Sequence, residues 1–190
     1  EAIARERGAT MVPPYDDPAI IAGQGTVGLE IANQCAALGH APELVLVPCS
    51  GGGLSAGIAT ALSRKAPDCA VHAVEPEGYD DTARSLAAGE RLANPGYPPT
   101  LCDALQVASP GALTFSINRD LLAEGLVVTD AEVRAAMRLA AERFKLVLEP
   151  GGAAALAALL ARKVILDGRT AVAVASGGNI APEAYASLID

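Results

Sequence analysis

The chain has 190 residues, which is enough for one domain with a hydrophobic core. Its formal net charge of −8 argues against nucleic-acid binding, which requires a basic surface. No run of about 18 uncharged apolar residues is present, so the sequence predicts no membrane-spanning segment.

Hydrophobic residues make up 51% of the chain and aromatic residues only 3%, so we expect a core of small side chains. The cysteines lack the paired spacing of a zinc site, and we expect reduced thiols in a cytoplasmic protein. They are Cys35, Cys49, Cys69 and Cys102. The first residues have a helical pattern without an initiating Met, so we expect the chain to be the later part of a longer protein.

The N-terminal region is predicted to contain a short helix, a short strand and a longer helix. The helix ends at Gly8, and the strand covers residues 10–12 before two prolines. Glycines interrupt residues 20–28, and a regular helix is expected over 27–38.

The stretch 44–62 has the pattern of a buried strand, a glycine turn and a helix. Residues 44–47 form an unbroken apolar run, glycines 51–53 follow, and small residues continue to Leu62. Free amides at such a turn and the dipole of the following helix favour a phosphate group. The alternative is a tight turn without a ligand. The glycine spacing matches neither the dinucleotide fingerprint nor the Walker loop.

The remaining chain alternates strands and helices, which predicts an α/β fold. Strands are expected at 70–74, 126–128 and 170–175, and helices at 82–88, 115–122, 129–144 and from Gly152 to Lys163. Such units form a three-layer structure, with a mostly parallel twisted sheet and helices on both faces.

Polar and glycine clusters follow the strands of the predicted sheet. They are residues 50–53, Glu75, 149–152 and 176–179. Ligands of open parallel sheets bind at the carboxyl ends of the strands, so we expect these clusters to form one site.

The order of these motifs resembles the threonine/serine dehydratase family, a fold-type II group of pyridoxal-phosphate (PLP) enzymes that includes serine racemase. The segments that carry the resemblance are Gly-Gln-Gly-Thr at 23–26, Ser-Gly-Gly-Gly-Leu at 50–54, Val-Glu-Pro at 74–76, Glu-Pro-Gly-Gly-Ala at 149–153 and Ser-Gly-Gly-Asn at 176–179. The resemblance covers essentially the whole chain. It implies that residues 1–190 form most of the PLP-binding large domain.

The resemblance also implies roles for individual residues in cofactor binding. The backbone of the 50–54 loop would hold the phosphate, Ser176 would bond the pyridine nitrogen, and Glu149 and Gly151 would lie near the ring. Taken alone, Ser176 could be a turn residue and Glu149 a helix-capping acid. The implied cofactor-binding set is Ser50, Gly51, Gly52, Gly53, Leu54, Glu149, Gly151 and Ser176.

A second site implied by the resemblance is a divalent-cation site. Glu75, Asp81 and the backbone carbonyl of Tyr79 keep the spacing found in racemase-like members, where they bind Mg²⁺ or Ca²⁺. Oxygen ligands suit both ions. The alternative is a solvated acidic loop.

Two features of the family are missing from the sequence. The Schiff-base lysine lies in a Ser-Phe-Lys type segment, and the substrate carboxylate is held by a Ser-Gly-Asn-His type loop; neither segment occurs here. The lysines present are Lys65, Lys145 and Lys163, which have no such context. We therefore expect no catalytic lysine within this chain, and expect the upstream segment and most of the small domain to lie outside it.

The resemblance implies a PLP-dependent ammonia-lyase that converts L-threonine or L-serine into a 2-oxo acid and ammonia, and it suggests a homodimer. The alternatives are a serine or aspartate racemase, a 3-hydroxyaspartate dehydratase and a non-catalytic fragment that binds a phosphate ligand. A nucleotide-binding domain is disfavoured, because Asp68 precedes the second strand instead of ending it.

Overall fold

The computed structural model describes residues 2–190. The α-helices are α1 (Ala2–Arg7), α2 (Pro18–Ala37), α3 (Gly53–Lys65), α4 (Asp81–Ala88), α5 (Ala112–Leu121), α6 (Asp130–Leu139), α7 (Pro150–Leu160) and α8 (Pro182–Ile189). The strands are β1 (Leu44–Pro48), β2 (Ala70–Pro76), β3 (Leu126–Val128) and β4 (Ala171–Ala173). A 3₁₀ turn covers Asp103–Leu105, and a π-helical turn, Ala140–Phe144, extends α6.

The strands form one parallel sheet in the order β3-β2-β1-β4. Leu44 of β1 is in register with Ala70 of β2 on one side and with Ala171 of β4 on the other. All of β1 is buried. The predicted parallel α/β fold is therefore confirmed.

The two faces of β1 belong to separate hydrophobic clusters, which places helices on both sides of the sheet. Leu44 and Leu46 pack in a cluster with α6 and α7. Val45 and Val47 pack with α3 and part of α2. The buried part of α7 consists of proline, glycine and alanine, so this helix can approach the sheet closely.

Two predictions for the N-terminal region are wrong. Residues 10–12 are exposed and form no strand. The two prolines that follow lack amide donors, and no described strand lies beside this segment to pair with it. Helix α2 runs without a break through its glycines, and two of them, Gly25 and Gly28, allow close contact with α3. A methyl group added at Gly28 would lie 2.8 Å from the carbonyl oxygen of Ile58.

The last strand is shorter and less buried than the sequence indicates. β4 is an edge strand that pairs with β1 only among the described residues, and its three residues are half-buried. An unpaired edge leaves one side of the strand uncovered. Among residues 2–190, no helix combines the length and apolar character needed to cross a bilayer.

Candidate cofactor site

The loop between β1 and α3 turns its carbonyl oxygens into the protein. The carbonyl oxygen of Gly51 accepts hydrogen bonds from Thr114 Oγ1 at 2.6 Å and from the Gly111 amide at 3.2 Å. Both donors belong to the N-terminal region of α5. The loop is therefore held by a helix that lies more than 60 residues further along the chain.

The next carbonyl oxygen, that of Gly52, is also bonded inside the protein. It accepts from the Ala56 amide at 3.0 Å, from Ser55 Oγ at 3.0 Å and from Asn118 Nδ2 at 3.3 Å. Gly52 has φ +89°, which favours glycine, and a methyl group there would lie 2.7 Å from Asn118 Nδ2. Glycine is therefore required at this position both by the backbone and by its neighbour.

The amide groups of the same loop have no acceptor. Within residues 2–190, no backbone or side-chain oxygen accepts a hydrogen bond from the amides of residues 50–54. Gly51, Gly52 and Gly53 are nevertheless buried, and α3 has no side-chain cap. Buried amides in proteins are almost always paired. This group of amides therefore has the properties of an anion site at a helix N-terminus.

A cavity of about 350 Å³ lies at this loop and brings together every predicted cofactor-binding residue. Residues that follow β1 and β4 line it, together with the start of α7, whereas Glu75 at the end of β2 does not. The lining residues are Pro14, Tyr15, Gln24, Pro48, Cys49, Ser50, Gly51, Gly52, Gly53, Leu54, Ala104, Leu105, Glu149, Gly151 and Ser176.

The end of β4 and the start of α7 form the opposite wall of the cavity. The Glu149 amide donates to the Gly177 carbonyl oxygen at 3.1 Å, and the Glu149 carboxylate lies against the Cα of Gly177. Ser176 is exposed and half-buried Glu149 makes no side-chain cap to α7. Both side chains therefore have polar atoms free to contact a ligand.

Comparison with known proteins identifies the group to which this site belongs. A sequence model of the family described as pyridoxal-phosphate dependent enzyme matches residues 1–177. The chain belongs to this family. Membership implies pyridoxal phosphate as the cofactor.

Relatives within the PLP-dependent family differ in their activities. The chain is 44% identical to an L-threonine ammonia-lyase of Geobacter sulfurreducens, over 92% of this chain and 42% of that protein. It is 36% identical to an L-threo-3-hydroxyaspartate ammonia-lyase of Saccharomyces cerevisiae, over 98% and 56%. The structure of maize serine racemase matches with a TM-score of 0.86 and 34% identity, over 98% and 58%. The chain thus spans about half the length of these relatives.

The cavity residues fit the cofactor of the family. PLP carries a phosphate ester, and the unpaired amides of the 50–54 loop are suitable donors for it. Ser176 can donate a hydrogen bond to a ring nitrogen, and Glu149 can accept one.

Several residues of the site were not predicted from the sequence. Tyr15 lies against Gly51 and Gly53, and Gln24 lines the cavity from α2. Thr114 and Asn118 hold the loop from behind. Because these contacts join residues far apart in the chain, no local pattern indicates them; the Gly-Gln-Gly-Thr segment was the only signal for Gln24.

The predicted cation-site residues come together at the N-terminus of α4. Glu75 accepts hydrogen bonds from the amides of Thr82 at 2.9 Å and Ala83 at 2.8 Å. Asp81 Oδ1 accepts from Asn94 Nδ2, while its Oδ2 is buried without a partner. The Tyr79 carbonyl oxygen accepts no hydrogen bond within the described residues. Both carboxylates are fully buried, whereas Glu77 between them is exposed.

Electrostatics distinguish this pair from the surface acids. Burial and the nearby Asp81 raise the pKa of Glu75 to about 8, although two backbone donors oppose the shift. Burial raises the pKa of Asp81 to about 6. No group of three His, Cys, Asp or Glu side chains that could hold a metal occurs in residues 2–190, so a cation here would need a backbone ligand.

Buried Cys49 connects the two sites but is not a nucleophile. Its sulfur lies 3.6 Å from both Ser55 Oγ and Thr82 Oγ1. Burial, followed by the charge of Glu75, raises the pKa of this thiol to about 12. The thiol is therefore neutral at physiological pH and acts as a weakly polar packing group.

None of the three lysines lies in the cavity. Lys163 forms an ion pair with Glu132 at 2.9 Å, and Lys145 donates to the Glu142 carbonyl oxygen at 2.8 Å. Lys65 ends α3, at the opposite end from the loop. No lysine amine therefore lines the cavity with Glu149, Ser176 and the 50–54 loop.

Proposed function

We propose that this chain forms most of the PLP-binding large domain of an ammonia-lyase that converts L-threonine or L-serine into a 2-oxo acid and ammonia. The supporting observation is the cavity in which buried, unpaired amides face the same space as Glu149 and Ser176. The similarity to an L-threonine ammonia-lyase favours this reaction within the family.

The residues of the loop bind and orient the cofactor. The amides of Ser50, the three glycines and Leu54 donate to the phosphate. Ser176 donates to the pyridine nitrogen without the negative charge that a carboxylate would bring. When bound, PLP accepts electrons from the bonds at the amino acid α-carbon, which permits loss of the α-proton and then of the β-hydroxyl. Glu149 and Gly151 form the wall beside the ring.

The lysine that binds the cofactor covalently belongs, in this proposal, to residues outside the present 190. The positions of Lys65, Lys145 and Lys163 support this, because none of them borders the cavity. The segment that holds the substrate carboxylate and most of a small domain also belong outside. The protein would be cytoplasmic, would form a homodimer and would act on a small hydroxyamino acid.

The α4 N-terminus is a second, structural site of the proposed enzyme. Glu75, Asp81 and the Tyr79 carbonyl hold Mg²⁺ or Ca²⁺ there. Support comes from the buried, unpartnered Oδ2 of Asp81 and from the free carbonyl of Tyr79, since a hard cation would satisfy both oxygens.

Two alternative activities share the same cavity. The similarity to a 3-hydroxyaspartate ammonia-lyase and to a serine racemase favours each of them in turn. A third alternative from a different class is a non-catalytic module that binds a phosphate ligand. Only the substrate and the fate of the α-carbon distinguish the first two from the main proposal.

The test uses the full-length protein that contains this chain, purified with PLP. It is given L-threonine, L-serine and L-threo-3-hydroxyaspartate in turn. Release of 2-oxo acid is measured, and D-serine is measured by chiral chromatography. We expect the fastest 2-oxo acid release from L-threonine or L-serine.

Other outcomes overturn the proposal in distinguishable ways. D-serine formation faster than 2-oxo acid release identifies a racemase, and a preference for L-threo-3-hydroxyaspartate identifies the other lyase. PLP binding without turnover of any substrate identifies the non-catalytic module. A protein that does not bind PLP contradicts the cofactor assignment itself.

A further inference from the structure

The carbonyl oxygens of the phosphate loop are bonded by two buried side chains of α5, for which the sequence suggested no role. Thr114 Oγ1 donates to the Gly51 oxygen, and Asn118 Nδ2 donates to the Gly52 oxygen. Both side chains are almost fully buried, at 0% and 1% exposure. They therefore have a fixed position from which to hold the loop.

Because the peptide bond is planar, a hydrogen bond that fixes the direction of a carbonyl group also fixes the direction of the next amide. In a trans peptide, the carbonyl of one residue and the N–H of the next residue point in opposite directions. A bond from Thr114 to the Gly51 carbonyl therefore orients the Gly52 amide away from α5. A bond from Asn118 to the Gly52 carbonyl does the same for the Gly53 amide. These two amides belong to the group that has no acceptor in the protein.

We propose that Thr114 and Asn118 are positioning residues that set the direction of the Gly52 and Gly53 amides toward the cofactor phosphate. The inference rests on the proposed PLP-binding function. Neither side chain lines the cavity, so both act through the loop and not by touching the ligand.

The surroundings show that α5 is itself held in place. Asp16, located almost 100 residues earlier, accepts hydrogen bonds from the amides of Ala112, Leu113 and Thr114 at 2.8–3.0 Å. The preceding residue, Tyr15, covers the outer side of the loop at Gly51. The glycine loop is thus enclosed between Tyr15 on one side and α5 on the other. A phosphate contact with oriented donors avoids the cost of ordering them on binding.

The experiment compares two probes, PLP and pyridoxal, which differ by the phosphate ester. Dissociation constants are measured with the full-length protein and its Thr114→Val and Asn118→Leu variants. We expect each variant to raise the dissociation constant for PLP by about tenfold and to leave that for pyridoxal within about twofold of the wild type. Thr114→Ser, which keeps the hydroxyl, should restore the preference for PLP. Ser116→Ala on the exposed side of α5 is the matched control.

The outcomes separate this inference from the proposed function. Equal weakening of PLP and pyridoxal in the variants indicates general damage and overturns the positioning role, as does an unchanged affinity for PLP. A wild-type protein that binds both probes equally shows instead that the loop is not a phosphate site. If these variants do not fold, Thr114→Ser and the wild type, both ¹⁵N-labelled, are titrated with phosphate: shifts of the Gly52 amide that differ between the two proteins support the inference, and identical shifts overturn it.

Discussion

The N-termini of α3 and α4 are built in the same way and used differently. Each follows a buried parallel strand of the sheet, β1 or β2, through a short turn. At α4 the carboxylate of Glu75 accepts hydrogen bonds from the amides of Thr82 and Ala83. At α3 no side chain takes this place, and the turn consists of Cys49, Ser50 and two glycines.

Helix α5 resembles α4 in this respect, because the carboxylate of Asp16 accepts hydrogen bonds from its first amides. Helices α2 and α6 are likewise capped by Asp17 and Thr129. Positive helix ends within a protein are usually neutralised by its own side chains. Helices α3 and α7 have no side-chain cap, and the first turns of both line the cavity, so their free amides are available to a ligand there.

The largest effect is expected when a carboxylate of the protein itself is placed at the N-terminus of α3, as Glu75 is at α4. Ser50→Asp would place a negative charge at the loop, where it competes for the amides and repels the phosphate. We expect the dissociation constant for PLP to rise by more than about 100-fold, or about 3 kcal/mol. Fluorescence titration measures this change. Ser50→Asn has the same shape without the charge and should cost far less; equal losses in the two variants would contradict the electrostatic explanation.

The α4 end can be tested as a cation site by its effect on stability. Calcium at about 100 times its dissociation constant should stabilise the wild-type protein by about 2.7 kcal/mol. Asp81→Asn, which changes the unpartnered carboxylate, should abolish the gain. Chemical denaturation with and without calcium measures it. The control is Asp80→Asn, because Asp80 pairs with Arg84 at 3.2 Å and is not a proposed ligand. A calcium effect that is absent in the wild type, or lost equally in both variants, argues against the site.

A smaller effect on stability is expected at the N-terminus of α5. Asp16→Ala removes the cap of α5 and should lower the free energy of unfolding by about 1 kcal/mol. Desolvation by itself would raise the pKa of the Asp16 carboxyl. The hydrogen bonds from the Thr114, Ala112 and Leu113 amides have a larger effect and lower this pKa below 3.8. A lowered pKa means that the stabilisation is present above the ordinary value and is lost as pH falls through the lowered one.

Denaturation curves from neutral pH down to about pH 3 measure this last effect. The difference in stability between the wild type and Asp16→Ala should shrink at the acidic end. Asp120→Ala, which changes an exposed acid near the other end of α5, should show no comparable difference. A difference that grows with acidity would contradict the role of the ionised cap.

Several features of the site could be predicted because they depend on neighbouring residues. The strand, the glycines and the following helix are contiguous, and glycine alone permits φ +89° at Gly52. The capping box of α6 is also local, because Thr129 and Glu132 lie three residues apart.

Features that join distant segments could not be predicted in this way. The continuity of α2 depends on the contact of its glycines with α3, and a local pattern indicates a break there. The exposure of β4 depends on its place at the edge of the sheet, while its apolar sequence indicates burial.

The sequence by itself determined the parallel α/β fold and the succession of strand, glycine turn and helix at 44–65, because each follows from hydrogen bonding and backbone freedom within a few residues. The tertiary structure alone decided which helix ends and loops are held by residues from distant parts of the chain. Asp16 reaches α5 across almost 100 positions, and Thr114 and Asn118 reach the loop across more than 60. Such contacts depend on how the elements pack together, which local sequence does not specify.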